Sequence, residues 1–363
     1  MSRLSSMGRL LLLSGAAAML AAACGGTNAG SPSLSPVDVG TGSLVGAGAT
    51  FPAPFYTKAF ADYTAKYPQV TINYQAVGSG AGIKQFQAKT VDFGASDVPM
   101  GAADITTAGG PSALTQIPTT LGVISIAFNI AGVSSLNLDG TTLANIYLKH
   151  ITNWNDPALA ALNSGTTLPN KSITVVHRAD SSGTTFHFTD YLAKVSDEWK
   201  SKVGTAKAVS WPTGVGGQQN QGVAQAVQST DGSIGYVELA YVVQTGMNQA
   251  ALKNANGKFV KATVDGATAA AGTNASVSPT NYSITNAACD ACYPIAGFSW
   301  VMLYTNYSDA GKGKATVYLF KWLVTSGQSD GKDLQYAPLP SAVQQLALTN
   351  LKTIQAGGAP VLP

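Results

Sequence analysis

Apolar and polar positions follow two rhythms along this chain. In VTINYQAV, residues 70–77, they alternate with period two, as in a half-buried strand. In PAPFYTKAFADYTAKYP, residues 52–68, Phe55, Ala59, Phe60, Tyr63 and Tyr67 fall on one helical face. The same succession recurs: SLVGAGAT before that helix, TINYQAV before GIKQFQAKT, then VDFGASD and TLGVISIAFNI. A second series follows with LANIYLKH, SITVVHRAD, TTFHFTDYLAKV, VAQAVQS and GSIGYVELAYV. The chain closes with a strand at FSWVMLY and helices near 313–325 and 340–354. No repeat of fixed period is present. The pattern predicts parallel α/β packing in two doubly wound lobes, with ligand groups on loops at the carboxyl ends of strands, facing the cleft between lobes.

The length of 363 residues favours two domains, and 45% hydrophobic residues suffice for a sizeable core. Charged residues make up only 11%, against roughly a quarter in ordinary domains, so solubility rests on neutral polar side chains, as in exported proteins. Arg3 and Arg9 precede LLLLSGAAAMLAAAC, too short for a membrane span but suited to a signal-peptide core. Removing residues 1–23 takes away those two of the 21 basic residues and leaves 19 against 18 acidic ones. A chain so nearly neutral has no general electrostatic attraction to nucleic acid.

LAAACGG fits an ordinary Ala-x-Ala cleavage site and also resembles a bacterial lipobox, in which Cys24 is lipidated. The small-residue run ending in Cys and Gly-Gly favours the lipobox, although Ala21 stands where Leu is commoner. Residues 24–43, rich in Gly, Ser, Thr and Pro, then read as a flexible tether between the lipidated Cys24 and the folded body. Cys289 and Cys292 most simply form a short-loop disulfide in an oxidising compartment. A thioredoxin-like pair would open a helix after a strand, which ACDACYP does not. A zinc site would need further ligands at suitable spacing, and His150, His177 and His187 do not supply them.

Three strand-to-helix junctions are built alike: GAGATFPAP with Thr50 and Phe51, AVGSGAGIKQ with Ser79 ahead of a helix near Ile83, and RADSSGTTFHF with Ser181 to Thr184 opening a helix. Each offers free backbone N–H groups, a hydroxyl and the positive end of a helix dipole, a combination that holds an anion. There is no Gly-x-x-x-x-Gly-Lys-Ser/Thr and no Gly-x-Gly-x-x-Gly followed by an acidic residue, so a small free anion fits better than a nucleotide. The third junction also carries Arg178, the single arginine beyond the signal peptide. Its guanidinium can give two parallel hydrogen bonds to a tetrahedral oxyanion and keeps its charge in a dry cleft. Asp180 is placed to hold it.

Taken together, GAGATFPAPFY, VGSGAGIKQF, VDFGASDVPM, HRADSSGTTFHFTDYLAKV, WPTGVGGQQNQGVAQAV and GSIGYVELAY resemble the phosphate-binding proteins of bacterial phosphate-specific ABC transporters, in order from about residue 44 to the C-terminus. The resemblance implies a periplasmic binding protein of type II: two doubly wound α/β lobes joined by a two-segment hinge, 44–125 plus 299–363 in one and 126–298 in the other. It implies an extracytoplasmic receptor, not an enzyme, without a cofactor or metal, monomeric, anchored through Cys24. Its partners would be inorganic phosphate and an ABC permease with its ATPase.

By the same resemblance Thr50, Phe51, Ser79, Asp97, Arg178, Ser182, Gly183 and Thr184 contact phosphate, Phe51 and Gly183 through backbone N–H groups, and Asp180 orients Arg178. Gly80 stands where a second Ser is often found, and Ser181 where Gly is common. Asp97 supplies selectivity: an ionised carboxylate accepts a hydrogen bond from protonated phosphate, whereas sulfate offers it no proton.

Two other readings remain. A receptor for another tetrahedral oxyanion would share most of these groups. A secreted phosphate-ester hydrolase would need His177 or His187 as a general base, without a Gly-x-Ser-x-Gly elbow or a cluster for two metals.

Overall fold

The computed structural model describes residues 37–363. The signal peptide, Cys24 and residues 24–36 of the expected tether lie outside the described residues. Val39–Pro363 forms one compact unit. Residues 39–43, expected as the end of the tether, belong to it: Val39 is buried and the first strand begins at Gly42.

The helix Ala53–Lys66 starts after Pro52, with proline in its first turn where no intrahelical N–H partner is needed. It buries Phe55, Tyr56, Ala59, Phe60 and Tyr63 and stops before Pro68. Tyr67, expected on the apolar face, becomes its C-cap. Val70–Ala76 alternates between buried and more accessible positions, as an edge strand covered on one face must. Ser79–Gln87 starts four residues earlier than Ile83, because Gly78, at φ +96°, makes the turn and leaves Ser79 as the first helical residue. Gly183–Val195 is capped by Ser182, whose Oγ accepts from the Thr185 amide. The two C-terminal helices span Ala310–Leu323 and Ser341–Leu351, each within three residues of expectation.

One sheet of nine strands runs through the unit. Its path is Val70–Ala76, Gly42–Gly48, Phe93–Ser96, Ala296–Tyr304, Leu114–Asn129, Ser233–Glu238, Thr174–Arg178 and Val215–Gly217, with Asn248–Gln249 paired to the long strand. Pairing is parallel toward both edges and antiparallel in the middle, where Ala296–Tyr304 and Leu114–Asn129 run. The all-parallel expectation therefore holds only for the flanks. The two central strands are the crossings of the chain, and a return crossing runs opposite to its neighbour. Leu114–Asn129 changes partner within its length, pairing with Ala296–Tyr304 up to Val123 and with Ser233–Glu238 from Ile124. The register between the two central strands shifts at Ser299/Trp300, where Thr119 of Leu114–Asn129 is the extra residue.

Among the described residues no helix is long and apolar enough to cross a membrane. Cys289 and Cys292 are disulfide-bonded.

Candidate anion site

Each strand-to-helix junction singled out in the sequence delivers its polar groups to one place. Thr50, Ser79, Asp97, Arg178, Ser182 and Thr184 are all buried, none more than 3% exposed. Thr50 Oγ1 accepts from Asn220 Nδ2 at 2.9 Å, and the same amide reaches Thr184 Oγ1 at 3.3 Å. Arg178 Nη1 donates to Thr184 Oγ1 at 3.3 Å. Ser79 Oγ accepts from the Gly183 amide at 3.0 Å and donates to Asp97 Oδ2 at 3.4 Å. Thr50, Thr184 and Arg178 are thus linked through Asn220, Ser79 links Asp97 to the Gly183 amide, and the Gly183–Thr184 peptide joins the two groups; the Ser182 hydroxyl caps the helix at the Thr185 amide. The first-turn N–H groups of the helices behind it have no intrahelical acceptor, and the Phe51 amide has no protein acceptor among the described residues.

Arg178 is fixed from one edge. Its Nε donates to Asp180 Oδ1 at 2.7 Å and its Nη2 to Asp180 Oδ2 at 2.5 Å, so the guanidinium is clamped in its plane and its other edge is turned toward Thr184. Asp180 also accepts from the Gln219 amide at 3.0 Å. Burial alone would raise its carboxyl, but the hydrogen bonds and charge of Arg178 win and hold it below the usual aspartate value. Close packing sets the residue types here. A Cβ at Gly78 would sit 2.5 Å from Asp180 Oδ2, and one at Gly183 only 2.4 Å from Asp97 Cβ.

The two departures from the family pattern face each other. A Cβ at Gly80 would fall 2.3 Å from Ser181 Oγ and 2.4 Å from Ser181 Cβ, while the Gly80 amide donates to the Ser181 carbonyl at 2.9 Å. Only one of the two positions has room for a side chain.

Asp97 follows the strand Phe93–Ser96 and is held by Ser299 Oγ, which donates to its Oδ1 at 2.7 Å. Complete burial drives its carboxyl up to about 7, against the opposing pull of Ser299, Arg178 and Ser79. Asn220 and Ser299 were not among the expected site residues. Asn220 lies in the quoted WPTGVGGQQNQGVAQAV stretch, where an Asn at a helix start reads as an ordinary cap; Ser299 is a lone polar residue in an apolar strand.

Neither histidine proposed as a general base is placed for that role. His187 Nε2 donates to the Asp97 carbonyl at 2.9 Å, and burial lowers its proton affinity. His177 stacks on Trp211 with ring centroids 4.7 Å apart, and its Nδ1 donates to the Arg178 carbonyl at 3.0 Å. Among the described residues neither ring is hydrogen-bonded to a serine or threonine hydroxyl.

A sheet with crossing central strands and helix N-termini gathered at one level define the class: residues 31–320 match the family described as a PBP superfamily domain. The phosphate-binding protein PstS of Xylella fastidiosa (strain 9a5c) is 45% identical over 302 residues, covering 82% of this chain and 81% of its own. That of Pasteurella multocida (strain Pm70) is 41% identical over 315 residues, 86% of this chain and 90% of its own. The crystal structure of a phosphate-binding protein from Stenotrophomonas maltophilia superimposes with a TM-score of 0.66 at 23% identity, over 85% of this chain and 94% of its own. The chain belongs to the PstS family of phosphate-binding proteins.

Proposed function

We propose that this protein is an extracytoplasmic receptor that binds inorganic phosphate and hands it to an ABC permease for import. The observation that carries the reading is the joining of Thr50, Ser79, Asp97, Arg178 and Thr184 into one buried cluster beside the free Phe51 amide. In this reading Arg178 supplies the charge, the amides of Phe51 and Gly183 and the hydroxyls of Thr50, Ser79, Ser182 and Thr184 donate to phosphate oxygens, and Asp97 accepts a hydrogen bond from protonated phosphate. Segments 44–125 plus 299–363 form one lobe and 126–298 the other, and phosphate favours the form in which they meet. The receptor is a monomer, lipidated at Cys24 and held to the membrane by that anchor.

Calorimetric titration of the purified protein tests the reading. Phosphate and arsenate are expected to bind, and sulfate, at a pH well above the Asp97 value of about 7, to give no heat. Equal heat from sulfate, or none from phosphate, overturns it.

A further inference from the structure

Behind the Phe51 turn lies a buried acid that the anion site does not use. Glu238 ends the Ser233–Glu238 strand, pairs in register with Ile124 where the long strand changes partner, and is fully buried. Its Oε2 accepts from the Ala240 amide at 2.9 Å, whereas its Oε1 has no hydrogen-bond partner. A carboxylate buried with so little compensation is strongly disfavoured.

The proton inventory around Tyr336 points the same way. The Tyr336 hydroxyl lies 2.6 Å from the Phe51 carbonyl oxygen and 3.1 Å from Glu238 Oε2. A phenol has one proton. A carbonyl oxygen can only accept, and the shorter contact is to the carbonyl, so the tyrosine proton goes to Phe51. If Glu238 were ionised, two oxygen lone pairs would then face each other at 3.1 Å in a dry environment. A proton on Glu238 removes that clash.

We propose that Glu238 is a neutral carboxylic acid that donates to Tyr336, so that Tyr336 can donate to the Phe51 carbonyl and fix the Phe51 turn as an anion-binding element. The adjoining peptide is held by a second tyrosine: Tyr241 Oη donates to the Thr50 carbonyl at 2.6 Å, and that carbonyl shares its peptide plane with the Phe51 amide. Pro52 follows, so the peptide fixed by Tyr336 has no N–H of its own to anchor it. Glu238 also reaches the cluster through its backbone, its amide donating to Asn220 Oδ1 at 3.2 Å. Glu238 is therefore a positioning residue. It touches no ligand.

The titratable groups facing Glu238 are Tyr336 from the C-terminal segment, Tyr241 on the following helix and Asp97 beyond the Phe51 turn; Arg178 acts on Tyr241 from the far side. Burial is the largest influence and raises the Glu238 carboxyl well above the usual glutamate range, and Asp97 adds to it; the Ala240 and Leu239 amides oppose it. Because the folded form holds a proton that the unfolded form releases, the link is present below the raised folded-state value and is lost as the pH rises through it.

The protonation half stands alone, and the positioning half rests on the phosphate reading. An infrared difference spectrum of ligand-free wild type against Glu238→Gln at neutral pH should contain a carboxylic-acid carbonyl band, and Tyr336→Phe should shift it. Phosphate affinity should fall about fivefold in Tyr336→Phe, one hydrogen bond's worth. It should stay within about twofold in Glu238→Gln, whose amide can still donate. Raising the pH until the band bleaches should weaken phosphate binding by wild type relative to Glu238→Gln. A spectrum showing Glu238 only as carboxylate overturns the proposal, as does unchanged affinity in Tyr336→Phe. If Glu238→Gln does not fold, the shift in Tyr336→Phe and the bleaching in wild type decide the protonation. A protein that shows the band but binds no phosphate refutes the phosphate reading alone.

Discussion

At Asp97 the site's chemistry and the protein's stability pull in opposite directions. Its carboxyl is raised from 3.8 to about 7 in the folded protein, so the folded form holds a proton that the unfolded chain gives up near pH 4. Ligand-free stability should fall as pH rises from about 4 to about 7 and then level off, by on the order of a few kcal/mol. Asp97→Asn removes the term, so its melting temperature should exceed that of wild type by more at pH 8 than at pH 5. An equal difference at both pH values would assign the shift to another group. The same value bears on selectivity. Above about 7 the carboxylate can only accept and sulfate is excluded, but well below it the protonated acid can donate to sulfate. Sulfate competition against phosphate should therefore strengthen as the pH falls, and competition that does not vary with pH would count against Asp97 as the selective group. Arg178→Lys keeps the charge but cannot reproduce the clamp of Nε and Nη2 on Asp180, and titration should show phosphate affinity at least about tenfold weaker.

The helix starts explain both what the sequence announced and what it concealed. Gly-Ser-Gly and Ser-Ser-Gly-Thr before apolar runs are legible because a helix N-terminus that must stay open to a ligand needs small residues and hydroxyls. Asn220 was hidden because its partner Thr50 is 170 residues away and only the sheet order brings them together. Ser299 was hidden because a strand pattern says which face a residue takes, not what waits there, and the Asp97 its hydroxyl meets is 202 residues away in the chain. The antiparallel centre was missed for a similar reason: buried strands look alike in either direction. Gly80 and Ser181 give the most direct test at this scale. Gly80→Ser alone should lower the melting temperature and weaken phosphate binding, because its Cβ meets Ser181. Ser181→Gly should be tolerated, and the double variant should recover most of the loss, a coupling of about 1 kcal/mol or more. Additive effects would show that the two positions are independent.

Across the whole molecule, the chain crosses the sheet centre on Leu114–Asn129 and Ala296–Tyr304, and the contacts that close the site join segments on either side of those strands. Thr50 to Asn220, Ser79 to Gly183, Tyr241 to the Thr50 carbonyl and His187 to the Asp97 carbonyl are direct protein hydrogen bonds. On the two-lobe proposal, these bonds would stabilise the closed form in part without the ligand, and phosphate would have only the remaining difference to supply. Apparent affinity is the intrinsic affinity scaled by the fraction already closed, so loosening a closing contact that does not touch phosphate should weaken binding only while it shifts that fraction. Tyr241→Phe deletes one hydrogen bond between the segments and removes no group assigned to touch phosphate, but it also frees the peptide that carries the Phe51 amide, so the scattering radius, more than the affinity, reads closure. Its phosphate affinity should fall by up to about fivefold, and small-angle scattering should show a more expanded ligand-free protein that contracts to the wild-type radius when phosphate is added. Unchanged affinity and an unchanged radius would mean that the two halves do not separate, and that phosphate enters a cradle already shut.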